Sequence, residues 1–199
     1  MNTKEKSVLD LIDRISGAPK YQTVELDGKV IRQGTEQCPL TWENILKLGV
    51  SFKDKTIFDL GSFNGYFSFK AMKLGAKKVL GIDNNGPAIQ IYNHICDLYN
   101  YEQCHATNKN LLDCNFFAEK SDITLCLNVL HHVKKIDSIR YKNVLKYIFD
   151  NSENIIAEIN ETELSDFIEA SRQSKLKLVN KIRSHRNTMF GQRYVIHYN

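Results

Sequence analysis

Two aspartates and a glycine turn carry the clearest chemistry in the chain. The segment FDLGSFNGYF, residues 58–67, joins a β-prone run to a helical one, with Asp59 two positions before Gly61. A second acid, Asp83, ends the next apolar run, LGID, 22 residues after Gly61. A carboxylate at that offset suits the two hydroxyls of a ribose. Asp59 would repel a phosphate but can accept from an ammonium group. Gly61 and Gly65 are spaced GxxxG, which fails the GxGxxG of a dinucleotide site because Phe63 and Tyr66 stand where small residues are needed. No GK[ST] follows, so a P-loop fails as well. A glycine-rich turn lets a ligand approach the backbone, and the start of the following helix is expected to offer unpaired N–H groups. Together these features suit an adenosine-like ribose with an amino-acid tail and no phosphate.

Those residues need strands and helices to hold them. TIFDL (56–60), KVLGI (78–82), a weaker run at 104–107, ITLCL (123–127) and 154–159 read as strands. Helical spacing follows each of the stronger ones: 67–74, 89–98 with Pro87 in its first turn, 139–148, and 161–172. Strands alternating with helices predict an α/β fold, a mostly parallel sheet covered on both faces. The end differs. KLKLVNKI (175–182) and QRYVIHY (192–198) both alternate with only a turn-rich segment around Asn187 and Gly191 between them, so they must pair as an antiparallel hairpin. Ahead of the sheet, residues 1–50 read as an extension: a helix over 6–15, a hairpin over 21–33 turning at Asp27-Gly28, and a helix capped by Thr41 and ended by Gly49. Its role is open between a lid, a dimer contact and simple packing. Residues 51–199 are the main domain.

Composition narrows the class. The chain has 199 residues, 42% apolar and 25% charged, with 27 basic against 23 acidic side chains. That is the profile of one globular domain, with no apolar run long enough for a membrane span and no signal-peptide pattern at the start. Five cysteines without a CxxC pair read as reduced thiols of a cytoplasmic protein, and a metal site is disfavoured. Seven of the basic residues, Arg172, Lys175, Lys177, Lys181, Arg183, Arg186 and Arg193, fall between 171 and 199, where there is no acid. Such an excess suits a polyanion partner or the solvated face of a hairpin.

The segment DLGSFNGYFSFKAMKLGAKKVLGID resembles the first two motifs of class I S-adenosylmethionine-dependent methyltransferases, and SDITLCLNVLHHV (121–133) resembles their fourth-strand motif. Phe63 departs from the pattern, standing where many members carry a middle glycine. The resemblance implies a Rossmann-like three-layer sandwich with a seven-stranded sheet ending in an antiparallel hairpin. It implies S-adenosylmethionine as cofactor, with Gly61, Ser62, Asn64 and Gly65 around its methionine part and Asp59 orienting that loop or the ammonium group. Asp83 would take the ribose hydroxyls with Asn84 beside it, Asn110 and Leu111 would take the adenine, and Asn128 would line the sulfur. His131, ahead of His132, is the candidate for proton chemistry. Trp42 is either a stacking surface for a flat substrate or a core residue. Within the superfamily the upstream hairpin and TWENIL segment are most similar to the branch with the tRNA wobble-uridine enzymes. The basic side chains that hold their carboxylated cofactor are not located here, so the ordinary cofactor is expected.

The expected activity is methyl transfer to an O or N acceptor of a small molecule. The alternatives are an RNA acceptor, on the basic end with Phe190, Tyr194 and Tyr198, and a non-catalytic methyltransferase-like subunit. A nicotinamide-dependent oxidoreductase is opposed by the failed GxGxxG.

Overall fold

Period-2 apolar runs in this chain supply the sheet and period-3.6 runs the layers on it. The computed structural model describes residues 2–15, 20–113, 119–188 and 191–199. Cys114 and Phe190, with the side chain of Arg186, lie outside the described residues. The elements run α1 (Thr3–Arg14), β1 (Val24–Leu26), β2 (Lys29–Arg32), α2 (Cys38–Leu46), β3 (Thr56–Leu60), α3 (Tyr66–Lys73), β4 (Lys78–Asp83), α4 (Gly86–Tyr99) and β5 (Cys104–Asn108). A single 3-10 turn, Leu111–Asp113, precedes β6 (Ser121–Leu127), α5 (Leu130–Ile136), α6 (Ser138–Asn151), β7 (Ser152–Asn160), α7 (Glu161–Arg172), β8 (Leu178–Thr188) and β9 (Gly191–Tyr198).

Seven strands form one sheet in the order β5-β4-β3-β6-β7-β9-β8. The first five are parallel, and β9 runs antiparallel between β7 and β8. The sheet is the class I methyltransferase fold expected above, with its terminal hairpin. Alternation divides the core. Ile57, Val79, Ile123, Leu125, Ile156 and Val195 pack on one face under α2, α3 and α4, and Phe58, Leu80, Cys126, Ile155, Ile196 and Tyr198 on the other under α5, α6 and α7. Each such side chain, fully buried, contributes about 1.5–3 kcal/mol. Trp42 is buried in the first cluster, against Phe52 and Phe67, together with Val8, Ile12, Val24 and Leu26, so residues 1–50 share the core of the sheet domain.

Three local readings are corrected. The helix assigned to Thr41 as cap begins earlier, at Cys38, because Pro39 fits its first turn; Thr41 is buried inside it. The helix read over 139–148 stands as α6, capped by Asp137 through the N–H groups of Ile139 and Arg140, but it is not the first after β6: the short helix α5, absent from the sequence reading, precedes it. Strand β8 reaches Thr188 rather than stopping at Ile182, so the hairpin extends well past its partner β7, whose last pair is Asn160 with Arg193. The turn at Asp27-Gly28 has φ of 52° and 81°, the positive pair that a two-residue hairpin needs. Among the described residues, no helix is long and apolar enough to cross a membrane.

Candidate functional site

The carboxyl ends of β3, β4 and β6 open into a cavity of about 440 Å³, where the strand order reverses around β3. Gly61, Phe63, Asp83, Asn84, Asn110, Leu111, Asn128 and His132 are among its lining residues, with Tyr21, Asn85, Lys109 and the apolar wall Leu112, Leu127, Val129, Val133 and Ile136.

Asp83 stands at the end of β4 with its carboxylate on the cavity wall. Its Oδ2 accepts from the backbone N–H of Phe63 at 3.0 Å and its Oδ1 from that of Asn85 at 2.8 Å. Each oxygen therefore keeps acceptor capacity for a ligand hydroxyl. Burial raises its pKa, and the N–H bonds partly offset that. Asn84 is exposed beside it, while Asn85 caps α4 by accepting from Ala88. Asn110 turns its side-chain oxygen onto the N–H of Leu112, which presents Leu111 and Leu112 to the cavity.

The glycine turn is built for close packing rather than for anion capture. Gly61 has φ +76°, and a Cβ there would lie 2.5 Å from Val129 Cγ2 on the opposite wall. Gly65 has φ +92°, and a Cβ there would meet the rings of Tyr92 and Phe69 at 2.6–2.7 Å. The expectation of free N–H groups is corrected for five of them. Gly61 and Ser62 donate to Ile82 O, Phe63 to Asp83, Gly65 to Ser62 O, and Tyr66, the first residue of α3, to Gln22 Oε1 at 3.3 Å. These donors are engaged inside the protein and are not free for a diphosphate. Lys109, exposed at the rim, is a cation that sequence reasoning did not place here.

Asp59, Ser62 and Asn64 lie behind the turn, not on the cavity wall. Asp59 is buried and accepts the hydroxyl of Ser68 at 2.5 Å, which ties the end of β3 to the first turn of α3. Burial pushes its pKa up to about 7, the Ser68 bonds oppose this, and the charge of Asp83 adds to the rise. Ser62 is fully buried, its hydroxyl nested where only Gly81 fits, since a Cβ on residue 81 would lie 2.7 Å from Ser62 Oγ. Asn64 donates to the carbonyl of Gln22 at 3.5 Å, at the limit of a hydrogen bond.

Asn128 follows the last residue of β6 in the left-handed region, φ +58°, and both ends of its amide are engaged. Its nitrogen donates to Glu158 Oε2 at 2.8 Å and its oxygen accepts from Arg193 Nη1. Glu158, 1% exposed, also accepts from Thr41 at 3.1 Å and from Ser184. One carboxylate thus joins α2, β6, β7 and β8, and β9 adds Arg193 through Asn128. Sequence reasoning missed this group. Its signal was an acid inside the apolar strand NIIAEI and an arginine on the same alternation as Val195 and His197.

The histidines begin α5, where consecutive residues point about 100° apart. His132 lines the cavity; His131 packs against it with ring centroids 4.0 Å apart and is not on the wall. Partial burial, then the charges of Arg193 and Lys135, hold His132 below the usual imidazole pKa. At neutral pH it is a neutral ring able to accept a proton.

A family model described as a methyltransferase domain matches residues 51–193. The chain belongs to that family. Ribosomal protein L11 methyltransferase of Prochlorococcus marinus (strain AS9601) is 32% identical over 152 residues, 73% of this chain and 48% of that protein. The tRNA U34 carboxymethyltransferase of Campylobacter hominis is 32% identical over 108 residues, 52% of this chain and 35% of that one. A solved magnesium protoporphyrin IX methyltransferase from Synechocystis PCC 6803, with bound SAM, has the same fold at a TM-score of 0.66 and 16% identity, over 100% of this chain and 97% of that one. The chain spans about half the length, or less, of the curated relatives it matches. The resemblance drawn from residues 59–83 and 121–133 therefore stands at the level of family and fold: this is a methyltransferase domain with the class I fold.

Proposed function

We propose that the protein transfers the methyl group of S-adenosylmethionine to an O or N acceptor of a small molecule. The observation that carries the cofactor reading is Asp83, whose two oxygens face the cavity with acceptor capacity left, next to a glycine turn in which the N–H groups of Gly61, Ser62, Phe63 and Gly65 are already engaged. That combination fits a ribose without a diphosphate. Asp83 would hold the ribose hydroxyls, Leu111 and Leu112 would give apolar surface to the base beside Asn110, and Gly61 would let the amino-acid part lie against the backbone.

The cofactor, when bound, supplies an electrophilic methyl, so the protein's part is orientation and exclusion of water. Leu127, Val129, Val133 and Ile136 would give the acceptor side its apolar surface. The Glu158 cluster holds Asn128 in one orientation there. His132, which lines the cavity, would take a proton from an acceptor there in preference to His131.

A macromolecular acceptor is the second reading, supported by the names of the L11 and tRNA U34 relatives and by the basic hairpin. The hairpin's aromatic residues weigh against base stacking. Tyr198 is buried between Phe149 and Phe167, and the ring of Tyr194 is covered by Lys181 at 3.9 Å. The test is transfer from methyl-labelled cofactor into a cell extract separated by size. Label in the small-molecule fraction is expected; label confined to protein or RNA would overturn the acceptor class.

A further inference from the structure

The family match begins at residue 51, yet the cavity does not. Tyr21 is one of its lining residues, and it meets Phe63 edge-on with ring centroids 5.4 Å apart. Phe63 is the large residue in the glycine turn, held at φ +50°, a conformation that costs an ordinary side chain of order 1 kcal/mol. The next residue of the extension, Gln22, is buried and accepts from the N–H of Tyr66, the first residue of α3. No side chain of the turn caps that helix: its N-cap is Gly65. Residues 20–23 are themselves pinned. The N–H groups of Thr35 and Glu36 donate to the carbonyls of Lys20 and Tyr21 at 2.8 and 2.9 Å, and Gly34 lies so close to Gln22 and Thr23 that a Cβ would come within 2.4 Å of their backbone. Glu25 adds ion pairs to Lys70 and Lys73 of α3, at 2.7 and 3.6 Å.

We infer that Tyr21 is a ligand-binding residue of the cofactor cavity, and that Gln22 is the positioning residue that holds the glycine turn in its binding conformation. Residues 20–36 are then a wall of the site, not an appendage to it. The inference rests on the nucleoside reading of the cavity. Phe63 links the two halves: its N–H holds Asp83 while its ring carries Tyr21, so a displaced Tyr21 disturbs the carboxylate that grips the sugar.

The test is calorimetry of S-adenosylhomocysteine with the full chain and four variants, beside the thermal midpoint of each without ligand. Tyr21→Phe keeps the ring and should bind within about twofold of the natural chain, whereas Tyr21→Ala should bind about tenfold more weakly or worse, the range expected for truncating an aromatic contact. Gln22→Ala removes the cap and should weaken binding, and Gln22→Glu, which can still accept from Tyr66, should restore it. Equal affinity across the four variants, with only the midpoints lowered, would reduce the extension to packing and overturn the inference. If the natural chain itself bound no S-adenosylhomocysteine, the nucleoside reading would fall, and this inference with it.

Discussion

The two sides of the cavity are built in opposite ways. On the β3–β4 side, Asp59, Gly61, Phe63, Gly65, Asp83 and Asn85 come from one stretch of 27 residues and are joined by backbone hydrogen bonds. On the β6–β7–β9 side, Thr41, Asn128, Glu158, Ser184 and Arg193 come from across the chain and are joined through side chains. The first side can vary only where glycine or an N–H acceptor is dispensable. The second depends on charges and donors that match one another, so losing one member strands the rest.

The largest expected effect lies on the second side. Glu158→Ala leaves the buried donors of Thr41, Asn128 and Ser184 without their carboxylate and loosens the Asn128 amide that holds Arg193, and should cost about 3–5 kcal/mol of stability by chemical denaturation. Glu158→Gln keeps an acceptor for Asn128 and Thr41 and should cost far less. Equal losses in the two variants would mean that charge, not hydrogen bonding, holds the cluster.

On the first side, Asp59 sets a pH dependence. Its pKa in the fold is about 7 against an ordinary 3.8, so the proton is bound more tightly in the folded state. The associated stability is full below about pH 4 and is lost as pH rises through 7. Asp59→Asn should remove that loss, gaining about 2–4 kcal/mol relative to the natural chain between pH 4 and 8, taken from denaturation curves at both ends. A difference independent of pH would show that Asp59 does not titrate in this window.

Asp83→Ala should cost about 1–3 kcal/mol of S-adenosylhomocysteine affinity, because it removes the ribose acceptor and frees the N–H groups of Phe63 and Asn85. An unchanged affinity would move the sugar elsewhere in the cavity. The smallest effect belongs to the hairpin. If RNA is the acceptor, removing Lys181 and Arg183 should lower the slope of log affinity against log salt by about 0.7 for each phosphate no longer neutralised. No change in slope would leave both residues as a solvated edge.

The difference between the two sides also explains what the sequence could tell. The succession of strands and helices, the terminal hairpin and the turn from Asp59 to Gly65 follow from local periodicity and spacing, which a single chain displays directly. The placement of His132 rather than His131 on the wall depends on where α5 begins, and that is set by Leu130 packing into the core, not by the HH pair. Thr41 looked like a helix cap because its local pattern is that of one; its partner, Glu158, is 117 residues away. Tyr21 carries no motif at all, and reaches the cavity only because Gly34 allows residues 35–36 to pair back onto residues 20–21. Long-range partners leave at most a faint trace in sequence, here an acid in an apolar strand.

We propose a cavity that grips a sugar and an amino-acid tail but not a diphosphate. Side-by-side calorimetric titration of the full chain with S-adenosylhomocysteine and with NAD tests it most directly. Saturable binding of the first and none of the second is the predicted result. Binding of NAD, or no S-adenosylhomocysteine binding at millimolar concentration, would contradict it.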